Sequence, residues 1–169
     1  MNQTRRARSE AADLPICRKE VPVPVSSLRR FAFAVALLAA AGFAHATPDL
    51  AAPDAAAAVA AGKITLIDIR TPPEWKETGV ARGAKLVNML HPQGAPGFAN
   101  ALLEQVKGDR NAPIALICRT GNRTTQVQRY LQSQGFTQVY NVKEGMAGST
   151  AGPGWLKRGL PVETCSTQC

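Results

Sequence analysis

An α/β domain with a mostly parallel sheet covered on both faces is the fold class this sequence predicts, on three observations. Short apolar or β-branched runs alternate with helix-patterned segments from residue 53 to residue 142. One of those runs, Pro113-Ile114-Ala115-Leu116-Ile117, is nearly all apolar, as a strand buried on both faces must be. No internal repeat is visible, and 169 residues suit one domain rather than two.

Taken in order, the segment 53–61 (PDAAAAVAA) predicts a short helix driven by alanine propensity and ended by Gly62. Ile64 to Ile69 is a β-branched run and predicts a buried strand. Thr71 caps the next helix, with Pro72 and Pro73 in its first turn and Glu74-Trp75 following. Leu86-Val87-Asn88 is a weak, short strand, and Phe98 to Val106 has helical spacing. After the apolar strand comes Cys118-Arg119-Thr120-Gly121-Asn122-Arg123, and residues 122–134 form an amphipathic helix. Its apolar stripe is Val127, Tyr130 and Leu131, and Gly135 ends it. Val139 to Val142 predicts another strand. The Gly/Pro-rich tail has Trp155 as its large anchor, with Leu156, Leu160 and Pro161 beside it.

Ahead of this domain, residues 31–44 (FAFAVALLAAAGFA) are uncharged and apolar, preceded by Arg29-Arg30 and followed by Ala44-His45-Ala46. A positive flank, an apolar core and a small-x-small exit predict a secretory signal cut after Ala46. A membrane span needs about 20 apolar residues, more than this run offers before Pro48 and Asp49. The expected division is a leader over 1–46 and one domain over 47–169, its core at 50–163 and a Cys-containing tail at 164–169. The expected destination is a bacterial periplasm or the exterior, with membrane contact only during export. Sec export fits the flanks of Arg29-Arg30 better than the twin-arginine route does, and the polar stretch before Arg29 is longer than a signal needs.

Of the formal net charge of +8, residues 1–46 carry seven Lys/Arg against three Asp/Glu, and residues 47–169 carry thirteen against nine. The domain's moderate excess comes without a basic stripe or interleaved aromatics, which argues against nucleic acid as a partner. It favours small anionic substrates. Nothing in the sequence calls for an obligate interface, so a monomer is expected.

Ligands of open parallel sheets bind beyond the carboxyl ends of the strands. Cys118 lies at that edge, between the most apolar strand and a helix N-terminus. Gly121 lets the chain curl, so that successive N–H groups turn inward and the helix terminus adds partial positive charge. Arg119 and Arg123 flank the curl. Each feature favours a thiolate over a thiol, and each also suits an anion arriving at the sulfur.

The stretch Cys118 to Arg123 resembles the active-site loop of the rhodanese family. Further pieces follow in register: Asp68-Ile69-Arg70 with Pro73-Glu74-Trp75, Gly83-Ala84 before Val87-Asn88, Val139 to Val142, Glu144-Gly145-Met146, and Trp155 to Pro161. The resemblance implies a five-stranded, mostly parallel sheet with helices on both faces. It implies a sulfurtransferase that moves a sulfane sulfur from a donor such as thiosulfate to cyanide or a thiol, through a persulfide on Cys118. A protein thiol is a further candidate acceptor, and the reaction calls for no metal or organic cofactor. Arg119 would bind the incoming anion. Thr120, Gly121 and Asn122 would act through their backbone N–H groups. Arg123 would bind substrate or brace the loop, with bracing favoured. Asp68 would position the loop, by pairing with an arginine, and Arg70 would support it. For Arg70 and Glu74 a plain surface or helix-start role stands equally open. The family often has a histidine before Gly83-Ala84 and this chain has none there; His91, beside Pro92, reads as solvated.

Two other functions fit parts of the pattern. A phosphatase or arsenate reductase also uses a cysteine before an anion-binding loop, but the related phosphatases carry one residue more than Cys118–Arg123. A non-catalytic sulfur carrier or docking module usually lacks the cysteine. In an oxidising compartment the simplest arrangement of the remaining cysteines joins Cys165 to Cys169 and leaves Cys118 free. The alternatives are a redox pair that takes sulfur from Cys118, or a bond to another chain.

Overall fold

In the computed structural model, which describes residues 49–165 and residue 169, a five-stranded sheet has every neighbouring pair of strands parallel. The elements are β1 (Asp49–Leu50), α1 (Ala52–Ala60), β2 (Thr65–Asp68), α2 (Pro72–Thr78), β3 (Val80–Ala81) and β4 (Lys85–Leu86). They continue with α3 (Gly94–Gln105), β5 (Ile114–Ile117), α4 (Asn122–Ser133), β6 (Val139–Val142), α5 (Gly154–Lys157) and β7 (Val162–Glu163). Strand order in the sheet is β1-β6-β5-β2-β4, and β3 and β7 form a separate antiparallel pair. The leader assigned to residues 1–46 lies outside the described residues, as does most of the tail at 166–168. Among the described residues no helix is long and apolar enough to cross a membrane.

Alternation along the strands divides the core. Ile67, Ile69, Ile114, Leu116 and Val139 face α3 and α4, where Phe98, Leu102, Val127 and Leu131 meet them. Leu66, Ala115, Ile117 and Val142 face the other way, toward Ala52 and Ala55 of α1 and Trp155 of α5. Helices therefore cover both faces, as expected. The alanines of α1 allow it to lie close to the sheet, so the helix that looked propensity-driven also buries two of its residues, Ala52 and Ala55.

Element positions differ from the sequence reading at several ends. Helix α3 begins at Gly94, a turn ahead of Phe98, and the side chains of His91 and Gln93 lie against Gly97 in its first turn. His91 is partly exposed, its Nδ1 accepting from the Gln93 N–H at 3.2 Å. The edge strand β4 pairs at Lys85–Leu86, displaced from the Leu86–Asn88 run. Strands β1, β3 and β7 have two residues each, too few for an alternation to register.

The tail is fastened by Trp155, fully buried, whose indole N–H donates to the Pro161 carbonyl at 2.9 Å. Glu144, also buried, accepts from the N–H groups of Ala52 and Gly154 and from the Arg158 guanidinium, at 2.9, 3.0 and 2.8 Å. One carboxylate thereby ties α1, the turn after β6 and α5 together. Burial by itself would raise its pKa; Arg158 and the two amides outweigh that and hold it below the ordinary carboxylate value. Replacing Trp155 with Ala should lower the unfolding free energy by about 3–5 kcal/mol in a urea titration. An unchanged midpoint would show that the indole does not anchor the tail.

Candidate active site

The carboxyl ends of β2, β5 and β6 converge on one edge of the sheet, and the candidate residues gather there. Cys118 follows β5 directly and stands at the head of the 118–121 loop, with α4 starting at Asn122. Gly121 has φ 82°, a left-handed conformation that favours glycine, and a Cβ there would overlap the Lys143 carbonyl. That crossing fixes the curl. The turn after β6 holds it from the other side: the Met146 and Ala147 N–H groups donate to the carbonyls of Cys118 and Arg119 at 2.8 and 2.9 Å.

Inside the curl, the Gly121 N–H donates to Cys118 Sγ at 3.2 Å, and Thr124 Oγ1 lies 3.6 Å from the same sulfur. The first N–H groups of α4 have no helical carbonyl to bond and point toward this end of the helix, where the dipole is positive. Thr124 also donates to the Gly121 carbonyl at 2.8 Å, which fixes its hydroxyl beside the sulfur. The sequence reading did not single out Thr124. Its place at the third position of a helix that follows a glycine curl was the available signal.

The sulfur is not open. Cys118 is completely buried. It belongs to the apolar cluster that includes Val87, Phe98 and Val127.

Arg123 lies over the same site and braces it. Its guanidinium bonds both carboxylate oxygens of Glu74, at 2.8 and 2.5 Å, a bidentate pair between α4 and α2. Glu74 in turn accepts from the N–H and hydroxyl of Thr71, each at 3.0 Å, as the capping box at the start of α2. Glu74 is therefore more than a helix-start charge. The Arg123 hydrogen bond, opposed by burial and supported by Thr71, lowers the Glu74 pKa to about 2. Glu74 raises the Arg123 pKa against the cost of burial, and the neighbouring Cys118 sulfur raises it further.

Asp68 and Arg70 form a fully buried pair with a closest approach of 2.7 Å. The remaining Arg70 donors go to Thr78 Oγ1 at 2.7 Å and to the carbonyls of Gly79 and Glu74 at 2.8 and 3.3 Å. So complete a set of partners is what permits a buried charge pair; removing one member of such a pair typically costs about 3–5 kcal/mol. Arg70 is thus an internal strut, not a surface charge. Arg119 and Asn122 are exposed, Thr120 is half-buried, and Arg119 makes no ion pair among the described residues. Arg119 lines a narrow cleft of ≈ 50 Å³ with Arg70, Glu74 and Thr78. Cys165 and Cys169 lie beyond β7, away from the curl in sequence, and are joined in a disulfide.

The family model for the rhodanese-like domain matches residues 51–151, and the chain belongs to that family. An uncharacterised protein of Rickettsia prowazekii is 28% identical over 98 residues, which cover 57% of this chain and 80% of that one. The thiosulfate sulfurtransferase GlpE of Actinobacillus pleuropneumoniae is 36% identical over 78 residues, covering 44% of this chain and 65% of the relative. Among solved structures, the polysulfide-sulfur transferase homodimer of Wolinella succinogenes superposes with a TM-score of 0.51 at 26% identity, covering 72% of this chain and 81% of that one. The family is sulfurtransferase-like, and the five-stranded parallel sheet is its fold.

The Glu74–Arg123 pair predicts a pH dependence of stability. A carboxyl whose pKa falls on folding stabilises fully above its unfolded value of 4.5, and that contribution disappears as pH falls toward about 2. Thermal unfolding should therefore lose more midpoint across this window in the wild type than in Glu74→Gln. Parallel curves for the two proteins would show that the pair contributes nothing to folding.

Proposed function

We propose that this protein is a sulfurtransferase that carries a sulfane sulfur as a persulfide on Cys118. The observation that supports the reading most directly is the placement of Sγ at a strand–helix curl, 3.2 Å from the Gly121 N–H and at the positive end of α4. An apolar structural cysteine has no use for such surroundings. A sulfur that must carry negative charge, first as thiolate and then as persulfide, is stabilised by them.

With thiosulfate as donor, the Cys118 thiolate attacks the outer, sulfane sulfur. A new S–S bond forms, the donor's S–S bond breaks, and sulfite leaves with the electron pair. Cyanide or a thiolate then attacks the outer sulfur of the persulfide and the Cys118 thiolate is released. The two half-reactions share one enzyme form, so the kinetics should be ping-pong. Arg119, exposed and outside the ion pairs, meets the anionic donor; Arg123, bound to Glu74, braces the curl. Because Sγ is closed to solvent, the Arg123 side chain or the 119–121 segment moves outward for the donor to reach it.

The comparisons support a sulfurtransferase-like family, and the thiosulfate reaction is this reading's own extension of that. The same reading takes residues 31–44 as an export signal and the periplasm or exterior as the working compartment. Its partners there are a small anionic sulfur donor and a thiol or cyanide acceptor, with the chain acting as a monomer.

Intact mass after brief thiosulfate treatment should rise by about 32 Da, one sulfur atom, in the wild type and not in Cys118→Ser. Iodoacetamide added beforehand should block the gain. A wild-type mass that stays unchanged, with Cys118 still unalkylated after prolonged iodoacetamide, would mean that the buried thiol is inert and the reading wrong.

A further inference from the structure

The Cys165–Cys169 disulfide joins two residues four apart, with Cα atoms 6.0 Å from each other. Both cysteines follow the last strand, so the bond ties no element to another. Stabilisation by a cross-link grows with the length of chain it closes, and this one closes very little. A bond of so little use to the fold calls for a chemical explanation, and its location supplies one.

Strand β7 pairs antiparallel with β3, Val80 opposite Glu163 and Ala81 opposite Val162. The approach continues past the ladder, since a Cβ on Gly79 would lie 2.8 Å from the Glu163 carbonyl oxygen. Thr164 and Cys165 follow directly on this approach, at the Thr78–Gly79 end of α2. Thr78 and Gly79 are the two residues that take the outer donors of Arg70. Thr78 also lines the cleft that holds Arg119 and Glu74, beside the Cys118 curl. The last ladder residue is Glu163, so only Thr164 separates the anchored strand from Cys165. Cys165 is half-buried, not sealed.

We infer that the reduced Cys165/Cys169 pair is an internal acceptor, taking the sulfane sulfur from the Cys118 persulfide and releasing it as hydrosulfide. The inference rests on the persulfide reading above. In the first step the Cys165 thiolate attacks the outer sulfur on Cys118, the S–S bond breaks, and the Cys118 thiolate leaves. Cys165 now bears the persulfide. In the second, the Cys169 thiolate attacks Sγ of Cys165 and hydrosulfide departs, which closes the Cys165–Cys169 bond. The sulfane sulfur gains two electrons, and the dithiol loses two by becoming a disulfide. The state with the disulfide closed is the end of this sequence, and an external dithiol returns it to the start.

A single-turnover experiment tests this without any added thiol. The full chain is reduced with dithiothreitol, freed of it, and given one equivalent of thiosulfate. Wild type should release close to a full equivalent of hydrosulfide and end with Cys165 joined to Cys169. Cys165→Ser should retain the sulfur on Cys118, and Cys169→Ser should retain it as a persulfide, with at least a tenfold drop in hydrosulfide in both. Cyanide given as acceptor should yield thiocyanate with both variants and with wild type whose Cys165–Cys169 bond is closed, because all three keep Cys118 and none has a working internal acceptor. Equal hydrosulfide from wild type and both variants, or a tail that stays reduced while sulfide appears, would overturn the inference while the thiocyanate stands. Loss of thiocyanate from the wild type itself would instead bring down the persulfide reading, and this inference with it.

Discussion

Everything at the carboxyl edge of this sheet is arranged around the crossing of two backbone turns, the curl at Gly121 and the turn at Lys143–Ala147. The Lys143 carbonyl occupies the space a side chain at position 121 would need, and the amides of Met146 and Ala147 grip the carbonyls of Cys118 and Arg119. A loop of polar backbone next to a buried strand would ordinarily be mobile. Here the carbonyls of Cys118 and Arg119 are taken by the neighbouring turn, and the Gly121 N–H is turned toward the sulfur. The separation of donors from acceptors creates the positive interior of the curl, and it depends on the two chain segments staying in register.

Charge pairing around that crossing follows a consistent logic. Asp68 neutralises Arg70, Glu74 neutralises Arg123, and Glu144 neutralises Arg158. Each carboxylate also accepts backbone or hydroxyl hydrogens, which is what keeps a buried or half-buried charge tolerable. Of the three arginines nearest the loop, Arg119 alone is left outside an ion pair among the described residues, and it is the exposed one. The fold thus spends two arginines on rigidity and leaves one for an incoming anion. The small positive excess of the domain is less informative than this distribution.

Much of this was legible in the residues. The run Ile114–Ile117 is a central strand because nothing in it tolerates solvent, and Val139–Val142 has the bounds its β-branched ends suggested. The positions of Cys118 and Gly121 at a strand–helix junction announced the curl, and Thr71 announced the start of α2. Less legible were interactions made between distant segments. Nothing local to Glu74 says that it will receive Arg123, 49 residues away, and nothing local to Glu144 says that it will bind Ala52, 92 residues away. The two-residue strands carry no periodicity, and the sulfur's complete enclosure comes with its place in the apolar cluster of α3 and α4, which no spacing in the sequence encodes.

The central physical claim is that the N–H groups of this curl hold a negatively charged sulfur borne by Cys118. A crystal structure of the protein after thiosulfate treatment tests it most directly. The account expects a second sulfur bonded to Cys118 Sγ, lying within the curl and within hydrogen-bonding distance of several N–H groups between Arg119 and Thr124. An unmodified, still enclosed Cys118, or an added sulfur that points away from those amides, would contradict it.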